Sequence, residues 1–293
     1  MTKRALILAM LWTLSGSACS AVERDAAARD PAEASWFDTL TAAVQADILW
    51  KETHESAQLG ENGKAGSWDG SGEPWASGTY SYAVVASPTH SGRRAIRSTI
   101  DTSDEQSGVR WAMRDLPGDD STTLPDEAYY SAWVYFPEVF DSEWYMLMQW
   151  KTESSYEGYD PVKSVNLEKE DDGRLHLALY DFVGDNGECN GNGTGMKGVS
   201  PLVFPTGEWV HVESYYKWDK NSGGSLKVWQ NGVEVLRQEN TRTQYPYNYG
   251  TMPRQWAVNA YGDKFDPNPH TMYLDDAAIS KSPLSTALKG SSP

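Results

Sequence analysis

From Asp47 onward, apolar and polar residues alternate with a period of two over short runs, each closed by Gly, Pro, Asn or Asp. That period predicts strands at 47–52, 81–87, 95–101, 109–114, 129–136, 144–151, 162–168, 175–182, 209–217, 226–230, 233–238, 256–261 and 272–280. Asn231-Gly232, between LKVWQ and VEVLR, predicts a two-residue hairpin, and Asp172-Gly173 predicts a second. Helical periodicity is confined to residues 36–46, WFDTLTAAVQA, with Ser35 as the N-cap. Strands with no helices between them pack as antiparallel sheets, which implies an all-β sandwich. No linker interrupts 47–283, so this stretch reads as one domain, and 284–293 reads as a frayed tail.

The faces of these strands differ in kind. In 144–151, WYMLMQWK, simple alternation puts Trp144, Met146, Met148 and Trp150 on the core side. Tyr145, Leu147, Gln149 and Lys151 then share the other side. Strand 162–168 sets Val165 and Leu167 against Ser164, Asn166 and Glu168, and 175–182 sets Leu175, Leu177 and Leu179 against His176 and Tyr180. Strand 256–261 sets Trp256, Val258 and Ala260 against Asn259 and Tyr261, with Gln255 just before it. A solvated outer face would carry Thr, Ser, Lys and Glu. Amides and phenols instead suit a concave sheet on which a sugar chain can hydrogen-bond and stack.

Composition agrees with this reading. The chain has 293 residues with 13 Trp, 16 Tyr, 25 Gly and 15 Pro, an aromatic and turn-rich mixture typical of β sandwiches. Its formal net charge of −16 and the lack of a Lys/Arg stripe exclude nucleic acid as a partner. The first residues carry a basic start (Lys3, Arg4), an apolar run over 5–14 and small residues after it, the pattern of a secretory signal over 1–18. Gly16-Ser17-Ala18-Cys19 resembles a bacterial lipobox, with Leu14 further from the Cys than is usual. Cys19 is then a lipidation site, and 19–46 a tether ending in a short helix. The expected product is a monomeric exported lipoprotein of the cell envelope, meeting membrane only through its anchor, or else a secreted protein. Acylated Cys19 would leave Cys189 without a partner; plain secretion would allow a disulfide between them.

Several segments together resemble the heparin-lyase and glucuronan-lyase type of polysaccharide lyase. DILWKETHESAQLGENGKAGSW is similar to that family's opening strand and turn, and VVASPTHSGRRAIRSTI to its next segment. YYSAWVYFPEVF, MLMQWK, TGEWVHVESYYKWDKNSGGSLKVWQNGVEV and TMYLDDAAISKSPLS resemble later segments, in the family's order. The resemblance implies a concanavalin A-like jelly roll of two antiparallel sheets, one concave, with a carbohydrate cleft. Three positions depart from it. Lys151 stands where the family's Q-W-H strand has His, Ala257 where its F-K-x-G-x-Y strand has Lys, and its R-A-E-L strand is echoed only by GVRWAMR, with Arg110 or Arg114 as the arginine.

Elimination on a uronate polymer requires donors that neutralise the sugar carboxylate, a base, and an acid for the leaving oxygen. Gln149 and Asn259 are candidates for the first task, with Asn166, Tyr180 and Arg110 as further binding residues. Tyr261 is the candidate acid and base, Lys151 the cation that would support it, and His176 the one histidine facing the groove. Glycoside hydrolysis is an alternative, since Glu168, Glu170 and Asp172 alternate before a turn. A non-catalytic sugar-binding lipoprotein is another. The jelly-roll resemblance also places Glu55 and Asp275 where a structural Ca²⁺ would lie, although both could instead cap backbone amides. The five histidines (54, 90, 176, 211 and 270) lack zinc spacing. The Gly-rich stretch 184–198 reads as a long mobile loop beside the cleft.

Overall fold

In the computed structural model, residues 34–61, 66–68, 74–116, 124–155, 158–183, 195–246 and 253–290 are described. The expected signal segment, Cys19, Cys189 and most of the Gly-rich stretch expected to be a loop lie outside them. In chain order the strands are β1 (Ile48–Glu52), β2 (Gly60–Glu61), β3 (Trp75–Ser77), β4 (Thr79–Val85), β5 (Ala95–Asp101) and β6 (Ser107–Met113). Then come β7 (Glu127–Tyr135), β8 (Trp144–Glu153), β9 (Tyr159–Lys169), β10 (Leu175–Asp181) and β11 (Gly195–Phe204). The last are β12 (Trp209–Lys217), β13 (Gly224–Gln230), β14 (Val233–Thr241), β15 (Gln255–Asp263) and β16 (His270–Ser280). They form a nine-stranded sheet, β14-β13-β12-β7-β16-β5-β4-β2 with β1 on β16, and a seven-stranded sheet, β11-β10-β9-β8-β15-β6-β3. Neighbours run antiparallel throughout, and the two sheets face each other as the jelly-roll sandwich that the alternation and the resemblance imply.

The core between the sheets collects the apolar halves of the strands: Trp111, Met148, Trp150, Val165, Leu167, Leu177, Trp256 and Val258 from the smaller sheet, against Tyr130, Val134, Val212, Tyr216 and Leu274 from the larger. The Trp150 and Tyr216 rings stack 4.7 Å apart across it. Asn231 and Gly232 take φ values of 48° and 79°, the left-handed pair that a tight hairpin needs.

Three local features depart from the sequence reading. The expected 36–46 helix is broken at Leu40 into a 3-10 turn (Trp36–Thr39) and a five-residue helix, α1 (Ala42–Ala46), capped by the Thr41 hydroxyl on the Val44 amide. The break lets Trp36, Phe37 and Leu40 all bury against Trp133, Ala278 and Leu284 on the outside of the larger sheet, so this stretch is docked to the domain. Residues 284–290 of the expected tail are also docked. Ser285–Gly290 forms a 3-10 helix, and the buried Glu213 carboxylate accepts from the Leu284 amide at 2.6 Å. Finally, β11 was not legible. GMKGVSPLVF has no clean alternation and contains Pro201, which an edge strand tolerates.

Candidate active site

The outer face of the smaller sheet carries an open cavity of about 760 Å³, lined by residues of β3, β6, β8, β9, β10 and β15 and their adjoining loops. Gln149, Lys151, Asn166, Tyr180, Tyr261 and Arg110 all line it. Asn259 lies directly beneath, with its Oδ1 3.2 Å from Arg110 Nε. These residues come from five strands, and the antiparallel register brings them together: Met146 pairs with both Asn166 and Tyr261, and Asn259 pairs with Arg110.

Trp144 and Met146 also line the cavity, whereas Tyr145 and Leu147 belong to the core. This reverses the expected faces for the first half of β8. The cause is a β-bulge: Met146 pairs with Asn166 and Met148 with the adjacent Val165, so one extra β8 residue is accommodated. Leu147 and Met148 consequently both point inward. Alternation resumes with Gln149 and Lys151 on the cavity side and Trp150 in the core.

Arg110 sits at the centre of the floor, only 8 % exposed. With the Gln149 amide oxygen turned toward it, Arg110 donates from Nη2 at 3.2 Å and also from Nε. Its guanidinium lies 4.2 Å from the Trp75 ring centroid and 5.7 Å from that of Tyr261. Among the described residues, no carboxylate forms a salt bridge with it. Burial lowers its pKa to about 10, with the neighbouring Arg114 adding to that shift and Tyr261 opposing it. Asn259 is fully buried, and its Nδ2 has no hydrogen-bond partner among the described residues. A buried cation held by amides, beside an unused amide donor, is a preorganised seat for an anion.

Tyr261 is clamped by Trp144 (4.8 Å, edge-on) and Trp75 (6.0 Å, edge-on). Gly108, its cross-strand partner, is required here, because a Cβ at 108 would overlap the Tyr261 ring. Burial raises the phenol pKa, Arg110 counteracts in part, and Asp263 adds to the rise. Tyr261 is therefore protonated at neutral pH.

The expected Lys151–Tyr261 partnership is replaced by Arg110–Tyr261. Lys151 pairs with Gln255, and five residues of β8 separate it from Met146, the partner of Tyr261, roughly 16 Å of strand. His176 is not among the lining residues. Its Nδ1 lies 2.9 Å from the Ser200 carbonyl oxygen and its Nε2 3.2 Å from Asp172, at the start of β10. Tyr180 is on the same face four residues further on, where burial and Glu168 push its phenol pKa upward. Asp172 is spent on that histidine and on Arg174, which fits a turn and not a hydrolase pair. The carboxylates that do line the cavity, Glu143 and Asp160, are bound by Lys264 and the Ser154 hydroxyl.

Glu55 and Asp275 cap backbone amides. Glu55 Oε1 accepts from Arg93 and Arg94, while Asp275 Oδ2 accepts from His90 and Ser91, so both hold the turn before β5. Among the described residues no three acidic, His or Cys side chains converge on a metal position. Trp144, Trp75 and Met146 were missed as lining residues, the first and last through the bulge and Trp75 because β3 is only three residues long.

The fold has known counterparts. A comparison with curated proteins gives no match. Among solved structures, the endo-β-1,4-glucuronan lyase of the fungus Trichoderma reesei matches with a TM-score of 0.53 and 15% identity, over 80% of this chain and 96% of that one. The marine alginate lyase of Aplysia kurodai matches with a TM-score of 0.52 and 14% identity, over 80% and 99% respectively. At such identities the likeness is one of fold. The polysaccharide lyase family model matches residues 60–276, well over half the chain, and so spans every strand that lines the cavity; the chain belongs to the polysaccharide lyase family.

Proposed function

We propose that this protein is an exported enzyme that cleaves a uronate-containing polysaccharide by β-elimination in the cavity on the smaller sheet. The observation that carries this reading is Arg110: a buried guanidinium, backed by Gln149 and Asn259, with no carboxylate in a salt bridge to it among the described residues. A uronate carboxylate seated there would be neutralised, which acidifies the neighbouring C–H and stabilises the charge that develops when its proton leaves. Tyr261 stands beside the same guanidinium. Its oxygen accepts the C5 proton while its own proton passes to the departing glycosidic oxygen. The C–H electrons form the new C=C bond, the C–O bond breaks, and the tyrosine ends as it began. Trp144 and Trp75 hold the ring in place for this exchange.

Export rests on the basic start and apolar run of residues 1–18, and anchoring on Cys19. The test is to incubate the protein with glucuronan, alginate and neutral glucans and to follow ultraviolet absorbance and reducing ends together. Both rising on an acidic polymer is the expected result. Reducing ends without absorbance would mean hydrolysis, and binding without either signal would mean a sugar-binding module. Replacing Cys19 with Ser should move the protein from the membrane fraction to the soluble one.

A further inference from the structure

The outer face of the larger sheet, on the side of the sandwich away from Arg110, carries features that elimination does not use. Along β5 and β16 the core residues are Ile96, Ile100, Met272 and Leu274, so Arg97, Thr99, Thr271 and Tyr273 alternate outward. These four line a cavity of about 300 Å³, bordered by Glu138 and by prolines of the flanking loops. That volume is at the small end of ligand pockets and suits a single sugar unit. Thr99 and Thr271 are cross-strand partners whose hydroxyl oxygens lie 2.9 Å apart. A hydroxyl both donates and accepts, so the pair can still offer a proton and lone pairs to a ligand hydroxyl. The charged lining residues are Arg97 and Glu138, one of each sign, and burial lowers the His270 pKa to about 3, which keeps that ring neutral. From this cavity an aromatic row crosses three strands. Tyr273 pairs with Tyr135 and Tyr135 with Trp209, and successive ring centroids are 5.7 and 5.6 Å apart. All three rings are half-buried, so each is fixed on one side and wet on the other. Such rings stack on the apolar faces of sugars. Adjacent ring planes are inclined at 77° and 50°, so the row cannot lie against a flat crystalline surface and instead follows a single twisted chain.

We propose that this cavity and the Tyr273–Tyr135–Trp209 row form a second glycan-binding site, which takes a single neutral polysaccharide chain, one unit in the cavity and the next ones along the row. An acidic polymer is disfavoured here, because the lining charges balance within a chain of net charge −16. The Arg110 cleft and this site lie on opposite outer faces, so both can be filled at once. A neutral polymer then holds the protein in place while the cleft stays open to another. The proposal stands apart from the elimination reading, since no residue of the Arg110 site takes part in it.

The test measures calorimetric binding of cellopentaose, mannopentaose, laminaripentaose and pentaglucuronate to the wild type, Tyr273→Ala, Trp209→Ala, Thr271→Val and Arg110→Met. The wild type should bind at least one neutral pentasaccharide saturably. Tyr273→Ala and Trp209→Ala should each weaken that binding about tenfold, while Arg110→Met leaves it unchanged. Trp209 also packs against the docked segment that carries Trp36. Thr271→Val removes only a hydroxyl at nearly constant volume, so its severalfold loss, at unchanged Tm, keeps the test independent of folding. No saturable binding of any neutral pentasaccharide overturns the site, whatever the cleft does with acidic polymers. Binding that is unchanged in all three outer-face variants, or lost only in Arg110→Met, overturns it as well. Pentaglucuronate held by Arg110→Met as tightly as the neutral sugars overturns the neutral selection.

Discussion

Two cations are buried along the strands of the smaller sheet, and the protein treats them oppositely. Lys163 on β9 points between the sheets, is 0 % exposed, and meets Asp181 together with Thr241 Oγ1 at 3.1 Å. Gln238 donates to the same Asp181 carboxylate at 3.2 Å. Burial lowers the Lys163 pKa, and Asp181 pulls it back up. Arg110 on β6 points out to the cavity floor and has amides and aromatic rings around it, but no carboxylate salt bridge among the described residues. A closed ion pair serves the fold, because its charge is already answered. A buried cation supported only by neutral dipoles is tolerated at some cost in stability, and an incoming carboxylate completes it. The position of the counter-charge separates a structural charge from a functional one.

The sharpest way to break this comparison is to remove each cation. Lys163→Ala leaves the buried Asp181 carboxylate without its cation and should cost about 3–5 kcal/mol of stability, seen as a large fall in Tm. Arg110→Met should leave Tm unchanged or raise it, yet lower kcat/KM on an acidic polymer roughly ten- to over a hundredfold, since one charge-assisted contact is worth about 1.5–3 kcal/mol. Similar Tm losses in both variants would erase the distinction.

A smaller effect is expected two residues from Arg110 on the same strand. Gly108→Ala must displace the Tyr261 ring, and overpacking of this kind typically costs about 1–3 kcal/mol. Turnover should fall more than polymer binding, because the Arg110 seat is untouched. Raised by burial, Tyr261 keeps its proton through mildly alkaline conditions, so activity should stay flat between about pH 7 and pH 9 and decline only as the phenol ionises. A rate that climbs steadily over that range would mark the phenolate as the working form.

Buried groups kept neutral form a third class. His211 and His270 have pKa values lowered to about 3 by burial, against 6.5 for an ordinary histidine. The unfolded chain binds these protons first as pH falls below about 6.5, so stability should drop across that window, by up to about 1.4 kcal/mol per pH unit for each group. His211→Phe, which keeps a ring against Trp36 and Trp133, should flatten the slope of the denaturant midpoint between neutral and acidic pH. The least effect belongs to the solvent. Arg237→Ala breaks an exposed pair with Glu234 and should leave Tm unaltered within error.

The strands, their faces and the antiparallel sandwich were legible because the side-chain period of a strand is local: Val165 and Leu167, or Leu177 and Leu179, declare their side without reference to a partner. The same alternation placed Gln149, Asn166, Asn259 and Tyr261 on a common face. Where a local rule was broken by a neighbour, reading failed. The β8 bulge is a property of pairing with β9, so Trp144 and Met146 were assigned to the wrong side. Residues 36–46 looked like one helix, but burying Trp36, Phe37 and Leu40 together on the larger sheet required a break.

Which charges meet depended on register alone. The sequence by itself determined that an amide- and tyrosine-bearing face exists and that cations stand on it. Only the tertiary structure decided that Arg110, not Lys151, lies beside Tyr261, because cross-strand pairing sets those neighbours and no residue records its own partner. Likewise Glu55 and Asp275 carry the chemistry of metal ligands in one dimension, and in three each gives one carboxylate oxygen to backbone amides of the turn before β5. Local periodicity fixes what faces where, while long-range pairing fixes what touches what.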